Sequence, residues 1–372
     1  MKPKVALIVS APGTFNAFYL NHIKYLNTLY DVTLIANFAK NEIILPDVKH
    51  ISLNLDRKPS IIDDVKNLMK LTAIFKEQNF DVVHSTTPKA GFVTQIAGFL
   101  SGRKVRLHTF TGQVWANKTG IKRNILKLID KTIAILSTHL LADSKSQINF
   151  LISENIPVKA KIQVLGAGSI SGVNIKKFYP RNTGILRNKL GFVEDDFVFL
   201  FIGRLNADKG IKDLLKSFEI VHNQRPRAKL LIVGPDEENF FPIIEQNKLF
   251  DNAIFYQGFT KTPEEYMAMA DIMCLPSYRE GFGTVIVEAS ACGTPTIGSN
   301  IYGITDAIDD CKSGYLFQVG NSEDLAYKMI YCIDNSQELN KISLFGIQRI
   351  KEKFDAELCS QYLLDYYQSI LA

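Results

Sequence analysis

Short runs of apolar and β-branched residues alternate with longer, periodic helical patterns along the whole chain. In the first half, the runs that predict β-strands cover 4–10, 31–37, 81–86, 104–110, 139–144 and 161–166. Apolar positions that recur at helical spacing predict helices between most of these strands, for example at 61–78 and 122–138. Strands that alternate with helices in this way predict a parallel sheet covered on both faces.

The same alternation starts again in the second half of the chain. Predicted strands there cover 197–203, 229–234, 253–258, 272–277, 294–299 and 314–317. The polar segment 173–191, which carries Pro180 and Gly184, separates the two patterns and predicts a domain boundary. We expect an α/β protein with two Rossmann-like, doubly wound parallel-sheet domains, at 1–180 and 185–354, that face a central cleft. Ligands of such sheets bind at the carboxyl ends of the strands.

The composition is that of a globular protein large enough for two hydrophobic cores. Of the 372 residues, 46% are apolar and 22% are charged. No apolar run approaches the ~20 residues needed to span a bilayer, and the amino-terminal pattern predicts a first strand rather than a signal peptide. The five cysteines are widely spaced and include no C-x-x-C pair, which indicates a reduced, cytoplasmic protein without a disulfide framework or a zinc site.

Charge is divided unevenly between the two halves. Residues 1–183 contain 25 basic and 11 acidic residues, whereas the remainder contains 18 basic and 27 acidic residues. The net charge of +5 therefore hides a basic half and an acidic half. This asymmetry predicts that only the first half faces an anionic partner, which could be nucleic acid, a membrane surface or a phosphorylated acceptor.

The segment SYREGFGTVIVEAS, which begins at Ser277, surrounds the start of a predicted helix with acidic and glycine residues. Gly281 and Gly283 allow the backbone to approach a ligand closely, and the first amides of the helix suit a diphosphate. Glu280 in the turn and Glu288 inside the helix each offer two acceptor oxygens, which suit the vicinal hydroxyls of ribose or a sugar. The pattern describes a nucleotide-sugar site; the alternative is a turn with a solvated Glu280 and a capping Glu288.

A second segment, FIGRLNADKG, ends the first predicted strand of the second half. It places Arg204 and Lys209 at the same sheet edge as Glu280 and Glu288. Two fixed cations there would stabilise the negative charge that grows on a leaving diphosphate. Solvated loop cations are the alternative, but four charged groups at neighbouring strand ends of one domain favour a binding site.

Through GRLNADKG and EGFGTVIVE, the chain resembles the GT4 family of retaining glycosyltransferases, which have the two-domain GT-B fold. The stretches ASACGTPTIGSNIYGITDAIDD and SGYLF extend the resemblance over essentially the whole second half. The first half resembles the members of that family that assemble bacterial surface polysaccharides, such as capsule, O-antigen and lipid-linked glycans. This part of the resemblance rests on HSTTPKAGF, RLHTFTGQVW, LADSKSQ and VLGAGSISGVN.

The resemblance implies a role for individual residues of this chain. Arg204 and Lys209 would hold the donor diphosphate, Glu280 and His108 would contact the transferred sugar, and these are the implied catalytic residues. Glu288 would bind the ribose. The other implied donor-binding positions are Gly13, which gives the diphosphate room, Pro235 and Gly258 near the base, and the amides of Gly281, Phe282, Gly283 and Thr284. The first loop, SAPGTFNAF, has a single glycine, which disfavours a dehydrogenase.

The implied reaction moves an N-acetylated hexosamine or a related deoxysugar from a nucleotide donor to a lipid-linked or saccharide acceptor. Uridine diphosphate is the nucleotide typical of the family. We favour a front-face substitution in which the departing phosphate helps to deprotonate the incoming hydroxyl, with Glu280 as a covalent nucleophile as the alternative. No metal or other cofactor is expected, because Arg204, Lys209 and a helix terminus already serve the diphosphate.

Other functions stay open on the sequence alone. An epimerase or a phosphorylase can have the same two-domain architecture, although a phosphorylase would need a cofactor lysine site that the sequence does not offer. A non-catalytic nucleotide-sugar-binding subunit would use the same groove. Release of nucleoside diphosphate only in the presence of an acceptor would separate transfer from binding.

Several first-half residues are further candidates for the site, and most of them also have a structural interpretation. His108 comes at the end of the fourth predicted strand, which would make it face the cleft, and its alternative is a satisfied structural histidine. His84 is similarly placed and is either a ligand or a satisfied core histidine. Lys89 and Thr111 are candidates for binding acceptor phosphate, although Lys89 is equally consistent with a solvated position. Trp115 is a candidate for packing on an acceptor sugar or lipid, or for the core.

The segment around 118–131 predicts a basic amphipathic helix, because lysine and arginine alternate there with isoleucine and leucine at near-helical spacing. Such a helix can lie on an anionic membrane, which would place the protein at the inner face of the cytoplasmic membrane. The alternative is a core helix with a solvated basic face. No nucleic-acid motif is present, and the segment 355–372 is expected to brace the first domain.

Overall fold

The computed structural model describes residues 2–38, 48–55 and 61–372. The chain forms two compact units, each with its own sheet. The first unit consists of Met1–Gly172 and Ala356–Ala372, and the second of Val173–Asp355.

The first unit contains a seven-stranded sheet among the described residues. Its strands are β1 (Lys4–Ile8), β2 (Asp31–Ala36), β3 (Lys49–Ser52), β4 (Val82–Thr86), β5 (Val105–Phe110), β6 (His139–Ala142) and β7 (Ile162–Gln163). The helices between them are α1 (Gly13–Phe18), α2 (Leu20–Leu29), α3 (Ile61–Gln78), α4 (Pro88–Leu100), α5 (Gly120–Leu136) and α6 (Lys145–Ser153).

The strand order in this sheet is β3-β2-β1-β4-β5-β6-β7, and neighbouring strands are parallel. The central strands are buried along almost their whole length, as expected for a sheet covered on both faces. Successive side chains of a strand point to opposite faces of the sheet, so that Leu7 and Ile8 are buried in different cores. Leu7 belongs to the core that includes α2, and Ile8 to the core that includes α3 and α4.

The sequence pattern predicts this sheet with one omission. The helix expected at 61–78 coincides with α3, and the expected strands are present, although the one at 161–166 shortens to the two residues of β7. The pattern does not predict β3, because its four residues, KHIS, are only partly buried at the edge of the sheet and show no apolar alternation.

The second unit contains a six-stranded sheet. Its strands are β8 (Phe197–Ile202), β9 (Ala228–Val233), β10 (Ile254–Tyr256), β11 (Ile272–Leu275), β12 (Thr296–Ser299) and β13 (Gly314–Phe317). Its helices are α7 (Gly184–Lys189), α8 (Ile211–Gln224), α9 (Phe241–Glu245), α10 (Pro263–Met269), α11 (Thr284–Ala291), α12 (Ile304–Ala307), α13 (Ser322–Asp334) and α14 (Ser336–Lys353). A final helix, α15 (Ala356–Leu371), belongs to the first unit.

The second sheet has the order β10-β9-β8-β11-β12-β13, and its neighbouring strands are also parallel. The chain builds outward from β8 to β10 on one side and then returns to place β11 on the other side of β8. The strand order therefore reverses between β8 and β11. Ligands of open parallel sheets bind at the carboxyl ends of the strands beside such a reversal.

Helix α15 packs against α2 and completes the core of the first unit. Its buried Tyr367 shares a hydrogen bond of 2.7 Å with Nδ1 of His84, and its Ser360 shares one of 2.9 Å with Nδ1 of His22. The chain thus leaves the first unit after Gly172 and re-enters it at Ala356.

Candidate active site

Two loops at the reversal point of the second sheet are fastened to each other. One follows β8 and runs to Gly210, and the other follows β11 and runs to Gly283. The amide of Tyr278 donates a hydrogen bond of 2.8 Å to the carbonyl of Asp208. Gly210 has a φ of 68° and lies so close to the carbonyl of Pro276 that a Cβ atom would overlap it. The approach of the two loops therefore requires a glycine at this position.

Lys209 and Glu280 form an ion pair between these loops. The side chains are only 15% and 14% exposed. Ser277 donates a second hydrogen bond, of 2.8 Å, to the same oxygen of Glu280, Oε1. Two side chains that lie 71 positions apart in the sequence are thus held at one point, where both were predicted to act.

A second ion pair stands directly beside the first with its charges reversed. Arg279 donates from Nε and Nη2 to Oδ2 of Asp208, at 3.1 and 2.8 Å. Tyr278 in turn donates from its hydroxyl to Asp213, at 2.6 Å. Asp208 and Lys209 on one loop therefore pair with Arg279 and Glu280 on the other. These two pairs fix the backbone around Glu280.

Arg204 lies at the same edge of the sheet but is bound to a carboxylate that the sequence pattern did not single out. Its Nη1 donates to Oε2 and Oε1 of Glu237, at 2.9 and 3.2 Å. Asn206 donates to the same carboxylate at 3.2 Å. Glu237 follows β9, the strand next to β8, so the contact joins neighbouring strand ends.

The glycine-rich turn leads directly into α11. Gly283 has a φ of 79° and immediately precedes Thr284, the first residue of the helix. Phe282 is buried against the ring of Phe354, with 5.4 Å between the ring centres. A Cβ atom on Gly303 would lie 2.6 Å from the carbonyl oxygen of Gly281, so this loop also packs closely on the turn. The positive end of the α11 dipole is thereby placed next to Glu280.

Glu288 lies in the second turn of α11 and is partly buried. Burial raises its pKa to about 7, while Lys177 opposes the shift and Glu264 adds to it. This carboxyl therefore changes its ionisation near neutral pH, unlike an exposed glutamate.

The positions expected near the base follow β9 and β10. Pro235 accepts a hydrogen bond of 2.8 Å from the amide of Leu205, which ties its loop to that of Arg204. Gly258 has a φ of 63° and accepts a hydrogen bond of 2.7 Å from the amide of Gly234. The second unit thus assembles the strand-end loops that carry the predicted donor-binding residues, apart from Gly13.

In the first unit, Gly13 is exposed and begins α1, and a Cβ atom there would meet nothing within 4 Å. His108 is placed differently from the expectation that it ends a strand. It lies inside β5, is buried, shares a hydrogen bond of 2.9 Å with Oγ of Ser85, and packs on Gly91. Burial lowers its pKa to about 3, so the ring is neutral. Its contact with a transferred sugar stays a prediction.

The other first-half candidates have structural partners. His84 shares hydrogen bonds of 2.7 Å with both Tyr367 and Thr109, as a satisfied core histidine does. Lys89 forms an ion pair of 2.8 Å with Asp64. Thr111 follows β5 and is partly buried.

Trp115 is completely buried in the core, in agreement with its structural interpretation. Its Nε1 donates a hydrogen bond of 2.8 Å to Asp130 of α5. Arg123 and Lys127 lie over its ring and also pair with Glu154, at 2.7 and 2.6 Å. These two cations are therefore only partly exposed and already have partners within the first unit, and binding of an anionic membrane by the segment around 118–131 stays a prediction.

The first unit also contains a buried carboxyl that no sequence motif indicated. Asp143 follows β6 and lines a small cavity of about 30 Å³ together with Tyr19, His22, His84 and Thr109. Burial raises its pKa to about 8, and its Oδ1 has no hydrogen-bond partner among the described residues. A cavity of this size has room for about one water molecule. Only the position of Asp143 at a strand end could have drawn attention to it.

Among the residues that the structure describes, no three His, Cys, Asp or Glu side chains come together as a potential metal site. The five cysteines are free thiols, and Cys311 alone is exposed.

Two parallel sheets of the Rossmann type, one in each unit, are the architecture of the GT-B class of glycosyltransferases. Residues 182–349 match the family of glycosyl transferases group 1. The second unit thus carries a glycosyl transferases group 1, GT4-like domain, and the predicted resemblance, the predicted fold and the predicted enzyme class, a glycosyltransferase, are confirmed.

Relatives and solved structures agree with this assignment. The chain is 29% identical to the capsular polysaccharide biosynthesis glycosyltransferase CapM of Staphylococcus aureus, over 87% of this chain and 86% of CapM. It is 28% identical to the UDP-Gal:alpha-D-GlcNAc-diphosphoundecaprenol alpha-1,3-galactosyltransferase of Escherichia coli, over 76% of this chain and 73% of that enzyme. The crystal structure of Anabaena HepE with UDP and glucose superposes with a TM-score of 0.83 at 20% identity and covers 99% of this chain and 100% of that one.

Proposed function

We propose that this glycosyltransferase transfers an N-acetylated hexosamine or a related deoxysugar from a uridine diphosphate donor with retention of configuration. The acceptor is a lipid-linked or free saccharide in the assembly of a bacterial surface polysaccharide, at the inner face of the cytoplasmic membrane. The observation that carries the proposal is the ion pair of Lys209 and Glu280 directly before the start of α11, at the reversal point of the second sheet. The first unit binds the acceptor and the second the donor.

The contacts of Lys209 and Glu280 suit the two ends of a sugar diphosphate. An ammonium group has three donors, so Lys209 can keep its bond to Glu280 and still donate to a phosphate oxygen. Glu280 receives Lys209 and Ser277 on Oε1, and its Oε2 is in this proposal the acceptor for a sugar hydroxyl. Arg204 supplies a second cation for the diphosphate, and the amides from Gly281 to Thr284 surround it.

These contacts favour Glu280 as an orienting group over Glu280 as a nucleophile. Its charge is already balanced by Lys209 and by the Ser277 hydroxyl, and both lower the reactivity of a carboxylate. In the front-face step, the bond from the anomeric carbon to the phosphate oxygen breaks as the bond to the acceptor oxygen forms. The acceptor proton passes to the departing phosphate, so no protein base is required. Lys209 and Arg204 stabilise the charge that the phosphate gains.

Similar proteins support the donor and acceptor classes. The Escherichia coli relative is named for a UDP-sugar donor and an undecaprenyl diphosphate acceptor, and CapM for capsular polysaccharide biosynthesis. The HepE structure holds UDP and glucose in the same fold.

The test of this proposal is release of UDP from a panel of UDP-sugars, with and without an undecaprenyl-diphosphate saccharide or a soluble saccharide acceptor. Transfer predicts UDP release that requires the acceptor and is lost in Lys209→Ala. A non-catalytic subunit would bind UDP-sugar without release, and an epimerase would convert the donor sugar without any acceptor. Either of these results contradicts the proposal.

Membrane association of the first unit is supported by the solvent-facing side of α5. Ile121, Ile125, Leu128 and Ile135 are 78%, 56%, 63% and 64% exposed. Their spacing places them in one stripe along the helix. Lys122 is also exposed and lies at the border of this stripe. An apolar stripe bordered by lysine suits an anionic lipid surface.

Helix α3 shows a similar pattern of exposed apolar residues beside lysines. Ile62, Val65 and Met69 are exposed at helical spacing, and Lys66 and Lys70 lie beside them. Helix α4 packs against both α3 and α5, so the two stripes lie on the same side of the first sheet. Among the described residues, no helix is both long and apolar enough to cross a membrane. We propose that these stripes, named the α3–α5 face, rest on the membrane surface.

Sedimentation with vesicles of phosphatidylglycerol or phosphatidylcholine tests the membrane proposal. We expect binding to the anionic vesicles that falls with salt and is reduced at least tenfold in the variant Ile125→Glu/Leu128→Glu. Leu344→Glu is the matched control, since Leu344 is 69% exposed on α14 of the second unit. Equal partitioning of the double variant and the control variant would rule out the α3–α5 face.

A further inference from the structure

Arg204, the exposed cation of the proposed donor site, is bound by the carboxylate of Glu237. Arg204 donates to both oxygens of Glu237, and Asn206 donates to one of them. An arginine that is to hold a diphosphate must offer the same N–H groups to the phosphate oxygens. Glu237 therefore occupies the Arg204 donors that a nucleotide would use.

The backbone of Glu237 is fastened beside Arg204. The amide of Leu205 donates to the carbonyl of Pro235 at 2.8 Å, and the amide of Glu237 donates to the carbonyl of Leu205 at 3.1 Å. Leu205 and Asp236 form a parallel β-bridge between the same segments. These bonds hold the backbone next to Arg204 and the backbone of Glu237 together. A ligand can therefore displace the Glu237 side chain from Arg204 only by rotating that side chain, and the negative charge of Glu237 stays near the site.

The contact with Arg204 is exchangeable, in contrast to the pair of Lys209 and Glu280. The Arg204 and Glu237 side chains are 49% and 41% exposed. An ion pair this exposed contributes little to stability. It can therefore give way to a ligand with more charge, such as a diphosphate, while the mostly buried Lys209–Glu280 pair stays intact.

We propose that Glu237 is a displaceable counter-ion that competes with the nucleotide diphosphate for Arg204. The carboxylate lowers the affinity of the site for nucleotide and returns to Arg204 as the nucleoside diphosphate product leaves. This inference rests on the proposed function, since it takes the ligand of Arg204 to be a diphosphate. It assigns a role to an acidic residue that lies outside both sequence motifs.

Calorimetric titration of the protein with UDP tests the inference. We expect Glu237→Gln to bind UDP about fivefold more tightly than the wild type, the change that follows when an exposed ion pair no longer competes. The gain should shrink as salt is raised, because salt screens exposed charges. Glu238→Gln is the matched control. The Glu238 carboxylate accepts the amide of Ala207 at 2.9 Å and does not contact Arg204, and a glutamine oxygen can accept the same bond.

A double-mutant cycle separates competition for Arg204 from a general charge effect. Glu237→Gln should tighten UDP binding less in an Arg204→Ala background than in the wild type. In turnover, the KM for the donor should fall in Glu237→Gln while kcat does not rise, since product leaves more slowly. A variant that merely loosened the loop would raise KM instead.

The outcomes separate this inference from the proposed function. If the wild type binds neither UDP nor a UDP-sugar at millimolar concentration, the proposed function fails. If the wild type binds UDP but Glu237→Gln binds it equally or more weakly, the proposed function stands and the counter-ion inference is overturned. Weaker binding would make Glu237 a ligand of the nucleotide.

Discussion

Arg279 donates two hydrogen bonds to Asp208, and each of these residues immediately precedes a member of the Lys209–Glu280 pair. The two ion pairs have opposite polarity, so each loop presents one acid and one base in succession. This arrangement fixes the register of the two loops by charge as well as by the backbone bond between Tyr278 and Asp208.

The Arg279–Asp208 pair leads to a first prediction, that it positions Glu280 without touching substrate. Arg279→Ala should lower kcat about tenfold with little change in donor KM, since a shift of the loop misplaces the orienting carboxylate. The melting temperature should change by only a few degrees, because the pair is partly exposed. The charge-reversed double variant Asp208→Arg/Arg279→Asp should recover part of the rate. No recovery beyond the single variants would contradict a role that depends on the pairing.

Loss of either member of the Lys209–Glu280 pair should remove turnover. Lys209→Ala and Glu280→Gln should each lower kcat by about two to three orders of magnitude, the effect of deleting one preorganised electrostatic group. Glu280→Gln keeps an oxygen that can accept the Ser277 hydroxyl and should fold normally by circular dichroism. Near-normal rates in both variants would show that the chemistry lies elsewhere.

Ionisation of Glu288 should make donor binding depend on pH. With a pKa of about 7, the carboxyl is largely protonated at pH 6 and largely ionised at pH 8. Only the ionised form accepts hydrogen bonds from ribose hydroxyls on both oxygens, so affinity for a UDP-sugar should rise over this range. A UDP-sugar is the right probe because its diphosphate diester does not titrate there. Calorimetry on Glu288→Gln should give a flat profile, and an unchanged slope in that variant would assign the dependence to another group.

Replacement by alanine should lower the stability of the protein at Gly91 but not at Gly13, two glycines of the first unit. Gly91→Ala would drive a Cβ atom into the His108 ring and should destabilise the protein by about 1–3 kcal/mol. Gly13→Ala meets no neighbour within 4 Å and should leave the melting temperature unchanged. If Gly13 gives the donor diphosphate room, the same variant should raise the donor KM. Normal kinetics in Gly13→Ala would remove this residue from the donor site.

Asp143 should make the protein less stable as the pH rises. Burial raises its pKa to about 8, above the value of 3.8 for an unperturbed carboxyl. A group whose pKa is raised on folding contributes its stability fully below the unfolded value, and that contribution is lost as pH rises through the folded value. Asp143→Asn should therefore be more stable than the wild type at pH 9, by at least about 1 kcal/mol, and show a smaller difference at pH 5. Urea denaturation at the two pH values measures this, and equal differences at both would contradict it.

The long strands and the charged motifs could be predicted from the sequence because each has a local signature. β1 and β8 are continuous apolar runs, and Lys209 and Glu280 stand next to glycines that mark the strand-end loops. Parallel-sheet geometry then brings both residues to one edge without any knowledge of the contact itself.

The partners of these residues could not be predicted in the same way. Glu237 lies 33 positions from Arg204, in a polar loop where any of several acids could have made the contact. Arg123 and Lys127 carry the pattern of a solvated basic face, yet they turn inward because Trp115 and Glu154 are placed beneath them by another part of the fold. Which of several nearby polar residues makes such a contact depends on distances in the folded chain, and the spacing of residues along the sequence does not predict these distances.

The return of α15 to the first unit has a consequence for how the molecule is made. The ribosome delivers the whole of Val173–Asp355 before the residues that carry Tyr367 and Ser360, so the second unit can finish folding while the first is still incomplete. Until α15 emerges, the apolar groove over α2 that receives this helix is open to water. The nascent chain therefore exposes this apolar surface for as long as it takes to synthesise Val173–Asp355.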